Sequence, residues 1–163
     1  MRGVREGLAS LGVCWDATDH SGLHVRPYRK DTLCVVVPAR HPLAGKRKLR
    51  FADTLDYEHV SLPVNSAVQV MLQRHAAQLG KAVMHRVIVT NFEAALRVVR
   101  AGLAISLVPR EVAEGPAGTL GLRLVPLAED WAERRFIVCY REAASLTPAA
   151  QALVEHLASF AAP

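Results

Sequence analysis

Ser66, Thr90 and Asn91 are the side chains of this chain best suited to hold a small polar ligand. Each stands where a helix is expected to open just behind a strand. A helix N-terminus presents unpaired backbone N–H groups and the positive end of a dipole, a ready seat for a carboxylate or another anion. In an open parallel sheet, ligands lie in the crevice beyond the carboxyl ends of the strands. That rule selects residues 63–66, 90–92 and 108–110, and with them Pro63, Asn65, Ser66, Thr90, Asn91, Phe92, Val108 and Pro109. Taken singly, each polar side chain reads better as a helix cap. Convergence at one sheet edge is what makes a binding pocket of them.

Catalytic patterns are weaker. The sequence has no Gly-x-Ser-x-Gly elbow, no Walker-type phosphate loop and no Gly-x-Gly-x-x-Gly. Asp16, His59 and Glu111 are the acid–base groups an enzyme could use, and they lie in no recognisable arrangement, so no catalytic residue is assigned. The histidines at 20, 24, 41, 59, 75, 85 and 156 occur singly. His20 and His24 are four apart, but Ser21-Gly22 between them breaks any shared helical face, and no metal site is expected. Cys14, Cys34 and Cys139 sit in apolar stretches and read as small core residues of a reducing compartment. No cofactor is implied.

The composition agrees with a globular binding domain. The chain has 163 residues, 51% hydrophobic and 21% charged, far from a disordered tail or a disulfide scaffold. At this size a chain buries roughly 70% of its extended surface, enough for a core without staples. The net charge is +5, part of it gathered at Lys46, Arg47, Lys48 and Arg50. That cluster follows a His-Pro turn without interleaved aromatics and reads as a solvated loop rather than a nucleic-acid patch. No apolar run approaches the ~20 residues of a membrane span, and no apolar segment follows the basic start as a secretory signal requires. A soluble, cytoplasmic protein is the expectation.

Val4, Leu8 and Leu11 share one face of a helix over 2–11, and residues 13–15 read as a short strand ending at Asp16. Residues 23–28 and 32–37 read as two strands, the second closed by Pro38. A single helical turn is expected at 51–55. The pattern then becomes regular: strand 59–62, helix 66–79 with Val68, Met71, Leu72, Ala76 and Leu79 inward, strand 85–89, a helix opened by Thr90 and Glu93 at capping-box spacing, and strand 103–108. Phe92, Leu96 and Val99 form the stripe of the second helix, and Gly102 ends it. This β-α-β-α-β order predicts a parallel sheet with right-handed crossovers. Residues 114–119, rich in Gly and Pro, read as loop. Strands are expected at 122–127 and 135–140. Thr147-Pro148 opens the last helix, with Leu153, Val154 and Leu157 inward.

Three segments in this order resemble the C-terminal effector-binding domain of LysR-type transcriptional regulators: Arg5-Glu6-Gly7-Leu8 through Val13-Cys14-Trp15-Asp16, then Val37-Pro38-Ala39-Arg40-His41-Pro42-Leu43-Ala44, and Thr90-Asn91-Phe92-Glu93-Ala94-Ala95-Leu96 running on to Val108-Pro109. The His-Pro-Leu-Ala turn and the stretch from Ala101 to Pro109 weigh most. The resemblance implies an α/β fold like the type II periplasmic binding proteins, two α/β lobes joined by two crossing strands with an effector in the cleft. On this chain the first lobe takes 1–36 and 125–163, and the second takes 37–124. Effector contacts then fall on Ser66, Thr90, Asn91 and Pro109, with Trp15 and Asp16 opposite. The implied partner is a small molecule, a carboxylate among the candidates, with no membrane; a homodimer is one possible assembly, and the sequence leaves the oligomeric state open.

Members of that family begin with a winged helix-turn-helix and a linker helix, which this sequence does not contain. Residues 2–11 match the helix after the first β-α-β of the first lobe, so an incomplete first lobe is expected, with DNA reached only through the missing N-terminal domain. Two other readings compete. An enzyme on a related two-lobed scaffold would need Asp16, His59 or Glu111 as its acid–base group, and a solute-binding protein for transport would need an export signal.

Overall fold

Leu33, Cys34, Val35, Val36 and Val37 are each at most 1% exposed, the deepest continuous run in the chain. β-branched residues favour a pleated, covered surface, and these lie in a strand longer than expected. A computed structural model describes residues 1–161. In it β2 (His24–Pro38) is one strand of 15 residues rather than two. The chain divides into two units, residues 1–31 with 133 onward, and residues 32–132. The limits expected from the sequence are 36/37 and 124/125; residues 162 and 163 of the 125–163 segment lie outside the described residues.

The smaller unit holds α1 (Arg2–Arg5), β1 (Leu11–Trp15), β7 (Glu133–Tyr140) and α6 (Pro148–Ala158). β1 pairs antiparallel with β7, Leu11 against Tyr140 and Trp15 against Phe136, and β7 lies between β1 and β2. Val138, Tyr140 and Val154 form its core, with Leu11, Tyr28, Leu146 and Leu157 packed around them. The helix expected over 2–11 is corrected to a single turn. Gly7 at φ 76 turns the backbone left-handed, which only glycine adopts cheaply. Leu11 is then drawn into the β1 ladder and Leu8 is left 81% exposed. In α6, Thr147 caps the start as expected, accepting from the Ala150 N–H, but Leu153 points outward at 43% exposure.

The larger unit is the expected alternation, with corrections. It contains α2 (Phe51–Thr54), β3 (His59–Ser61), α3 (Ala67–Gln78), β4 (His85–Ile88), α4 (Phe92–Arg100), β5 (Ser106–Pro109), α5 (Arg110–Leu120) and β6 (Leu122–Pro126). β3 and β4 pair in parallel, and Ile105 adds a parallel bridge to His59. The third strand begins at Ser106, not Leu103, and runs antiparallel to β2, as does β6. The parallel sheet is therefore shorter than predicted. Cys34, Val36, Val60, Leu96, Val99 and Val108 build the core beneath α4 and α5.

The stretch 114–119, expected as loop, lies inside α5 with Pro116 in its interior. An interior proline removes a helical hydrogen bond, yet Ala113 and Ala117 are buried in the core cluster, and that burial overrides the local propensity. Gly121 ends the helix at φ 65. On α3, Gln69 is buried in place of Leu79, which is 50% exposed.

Candidate functional site

The three segments chosen from the sequence emerge from one end of the parallel strands of the larger unit. The Val60 N–H donates to Ile105 O at 2.7 Å, and the Val89 N–H donates to Ser61 O at 2.9 Å. The Ser106 hydroxyl donates to Val60 O at 3.1 Å. These bonds align the strands, so the chain leaves β3 into residues 62–66, β4 into 89–91 and β5 into the start of α5.

Each exit opens a helix. Ser66 caps α3, its Oγ accepting from the Gln69 N–H at 3.3 Å, while the Ser66 N–H donates to Pro63 O at 2.8 Å. Gln69 itself is buried, and its Nε2 has no hydrogen-bond partner. The cap of α4 is Asn91 rather than Thr90. Asn91 has extended backbone, and its Oδ1 accepts from the Ala94 N–H at 2.9 Å. Thr90, just before this cap, and Asn91 are both exposed. The amides of Ala67, Val68, Phe92 and Glu93 stand before the intrahelical ladder begins, as they must in a first turn.

The remaining residues divide by burial. Asn65 is exposed, whereas Pro63 and Phe92 are half-buried. Val108 is 0% exposed and belongs to the core, and Pro109 is buried at the N-cap of α5. Trp15 and Asp16 belong to the smaller unit, both half-buried. The Asp16 N–H donates to Arg135 O at 2.9 Å. Asp16 lies in the wall of a cavity of about 380 Å³ that Tyr28, Arg29, Lys30, Arg135 and Phe136 also line. Sequence reasoning missed those basic neighbours. The alternation of β7 against β1 was the signal that could have found Arg135, one position before the partner of Trp15.

Asp16 is in one unit, His59 and Glu111 in the other. His59 is 2% exposed, and burial, only partly offset by the Tyr57 backbone, pushes its imidazole down to about 4. His20 turns its Nδ1 toward Thr18 O, and His24 stacks on Tyr140. A Ser61–His85 hydrogen bond of 2.6 Å links β3 to β4, with Ser61 only 5% exposed. The three cysteines are free thiols, and burial raises Cys34 to about 12 and Cys14 to about 11. No helix among the described residues is long and apolar enough to cross a membrane.

The model of the LysR substrate binding domain matches residues 1–162. The chain belongs to that family. As a LysR substrate-binding domain it is 32% identical over 137 residues to the RuBisCO operon transcriptional regulator of Allochromatium vinosum, covering 83% of this chain and 45% of that one. To the HTH-type transcriptional regulator CysL of Bacillus subtilis it is 23% identical, covering 67% of this chain and 36% of that one. The domain thus spans less than half the length of either curated relative. The regulatory domain of Synechocystis CcmR, solved in complex with 2-PG, superposes with a TM-score of 0.83 at 18% identity, over 98% of this chain and 77% of that one. The effector-binding domain of QuiR, in complex with shikimate, gives 0.80 at 18% identity, over 98% and 75%. The fold is accordingly α/β of the type II periplasmic-binding-protein kind.

Proposed function

We propose that this LysR substrate-binding domain is the effector sensor of a transcriptional regulator, and that it recognises a small carboxylate. The observation that carries this reading is the emergence of α3 and α4 at one end of the parallel strands, with Ser66, Thr90 and Asn91 at their starts. Two first-turn amide pairs, a serine hydroxyl, a threonine hydroxyl and the Asn91 Nδ2 are donors, and donors are what an anion needs. A carboxylate also matches the positive ends of both helix dipoles. The solved relatives captured with shikimate and with 2-PG support the same ligand class.

Trp15 and Asp16 are assigned to effector recognition on the family resemblance, and the cationic side chains around the cavity beside Asp16 favour an acidic ligand there as well. Binding shifts the population of the domain toward the state that holds the ligand better. In a complete regulator that shift would be read by the DNA-binding heads of paired subunits. A regulatory rather than catalytic role is favoured by both curated relatives, which are named as transcriptional regulators.

The test is a thermal-shift screen of small organic acids on the wild-type chain, Thr90→Val and Asn91→Ala. A ligand present at a hundred times its Kd stabilises by about 2.7 kcal/mol. The wild type should rise in Tm with at least one acid, and both variants should lose most of that ligand-dependent rise. Equal rises in all three proteins would remove Thr90 and Asn91 from the site.

A further inference from the structure

A second cavity, of about 310 Å³, opens in the larger unit among Phe51, His75, Gln78, Leu79, Glu129 and Trp131. None of these residues belongs to the strand-end rim. Two of its walls are aromatic: His75 stacks on Trp131 with ring centroids 4.3 Å apart and planes 11° from parallel, and Phe51 meets Trp131 edge-on at 5.3 Å. His75 is held in place by Gln78, its Nδ1 lying 3.0 Å from Gln78 Oε1.

The third wall is Glu129. One carboxylate oxygen, Oε1, accepts the Phe51 N–H at 2.6 Å, fixing the side chain at the start of α2. The other, Oε2, is buried and has no hydrogen-bond partner. A carboxylate oxygen removed from water without a donor is costly, and a cation is the partner that offsets the cost best. Indole is also the side chain that attracts cations most strongly. Arg50, next to Phe51, does not fill the role, because its guanidinium bonds Asp53 at 3.1 Å.

The geometry points to this cavity as a binding site for an organic monocation, an alkylguanidinium or alkylammonium group. Its head pairs with the Glu129 carboxylate, and its apolar stem lies against Trp131, Phe51 and Leu79. A cavity near 310 Å³ is at the small end of ligand pockets, which fits a short chain with a charged end. The same head group could arrive on a free metabolite or on an arginine of another protein.

Trp131 reports on the site. The chain has two tryptophans, so Trp15→Phe leaves Trp131 as the sole indole emitter. In that background, butylguanidinium should change the emission saturably at millimolar concentration. Butylurea, neutral and nearly isosteric, should bind about tenfold more weakly or worse, a factor equal to RT ln 10 of lost charge attraction. Glu129→Gln keeps an oxygen for the Phe51 N–H and removes the charge. It should weaken butylguanidinium by about tenfold and leave butylurea unchanged. An amidated Gly-Arg-Gly peptide separates the two sources: binding as tight as butylguanidinium assigns the site to an arginine side chain, and much weaker binding assigns it to a free small cation. A linear response to butylguanidinium, equal affinity for butylurea, or an unchanged affinity in Glu129→Gln would each overturn the proposal. The butylurea comparison needs no variant, so it stands even if Glu129→Gln folds poorly.

Discussion

Arg134 holds Asp31 with both arms of its guanidinium, Nε donating to Oδ1 at 2.7 Å and Nη2 to Oδ2. The two side chains are 7% and 8% exposed, and the Phe136 ring lies 5.3 Å from the guanidinium carbon. Asp31 is the last residue of the smaller unit's first segment, and Arg134 is the second residue of its returning segment. One buried pair thus ties together the two strands by which the chain leaves this unit and comes back.

Breaking such a pair from one side strands a buried charge, at a cost of about 3–5 kcal/mol. Asp31→Ala and Arg134→Ala should therefore each lower stability to urea by that order. The double change Asp31→Leu/Arg134→Leu should recover much of the loss. By contrast, removing Glu93 from its exposed pair with Arg97, whose side chains are 76% and 74% exposed, should cost under about 1 kcal/mol. A single Asp31→Ala loss as small as that would contradict the clamp.

His59 predicts an acid-sensitive fold. Burial lowers its folded-state pKa from 6.5 to about 4, so the unfolded chain binds this proton first. Its contribution is complete above about pH 6.5 and is lost as pH falls toward 4, in all about 3 kcal/mol. Urea midpoints at pH 7 and pH 4.5 for wild type and His59→Leu measure the effect. The wild type should lose more stability over that interval, and parallel losses would refute the assignment.

Asn91 is the residue whose side chain caps α4, and Thr90 is not. Asn91→Ala should cost about 1 kcal/mol in the absence of any ligand, the usual cost of losing a cap. Thr90→Val should be close to neutral. Chemical denaturation of the two variants separates these outcomes, and a larger loss in Thr90→Val would restore the cap to Thr90.

Pro116 sits inside α5, where it withholds a backbone donor. Pro116→Ala should stabilise the chain by about 1–3 kcal/mol. Gly121, at φ 65, should show the opposite: Gly121→Ala places a Cβ in the left-handed region at a cost of about 1–2 kcal/mol. A Tm shift of the reverse sign in either variant would show that α5 is not the continuous helix described.

Cys34, 1% exposed and raised to about 12 by burial, should resist iodoacetamide at pH 8 while the fold is intact and react on unfolding, because the thiolate is the nucleophile. Mass spectrometry of the alkylated peptides reads this directly. Rapid native labelling at Cys34 would mean that the β2 core opens far more readily than its burial implies.

The sequence by itself determined what depends on neighbours in the chain. The change from a strand period to a helix period between 59 and 100, the caps at Ser66 and Thr147, and the glycine stop at Gly102 are local patterns. They located the strand ends where Ser66, Thr90 and Asn91 lie. Tertiary structure decided whatever needed a distant partner. Arg134 looks like one of several surface charges until Asp31, 103 residues away, meets it in a buried pair. Glu129 becomes a cavity wall because the Phe51 amide, 78 residues away, fixes one of its oxygens. The stretch around Pro116 becomes helix because Ala113 and Ala117 gain burial that no local propensity records. Capping and periodicity act over a few residues, whereas desolvation, charge pairing and core burial are paid or recovered only once the chain has folded back on itself.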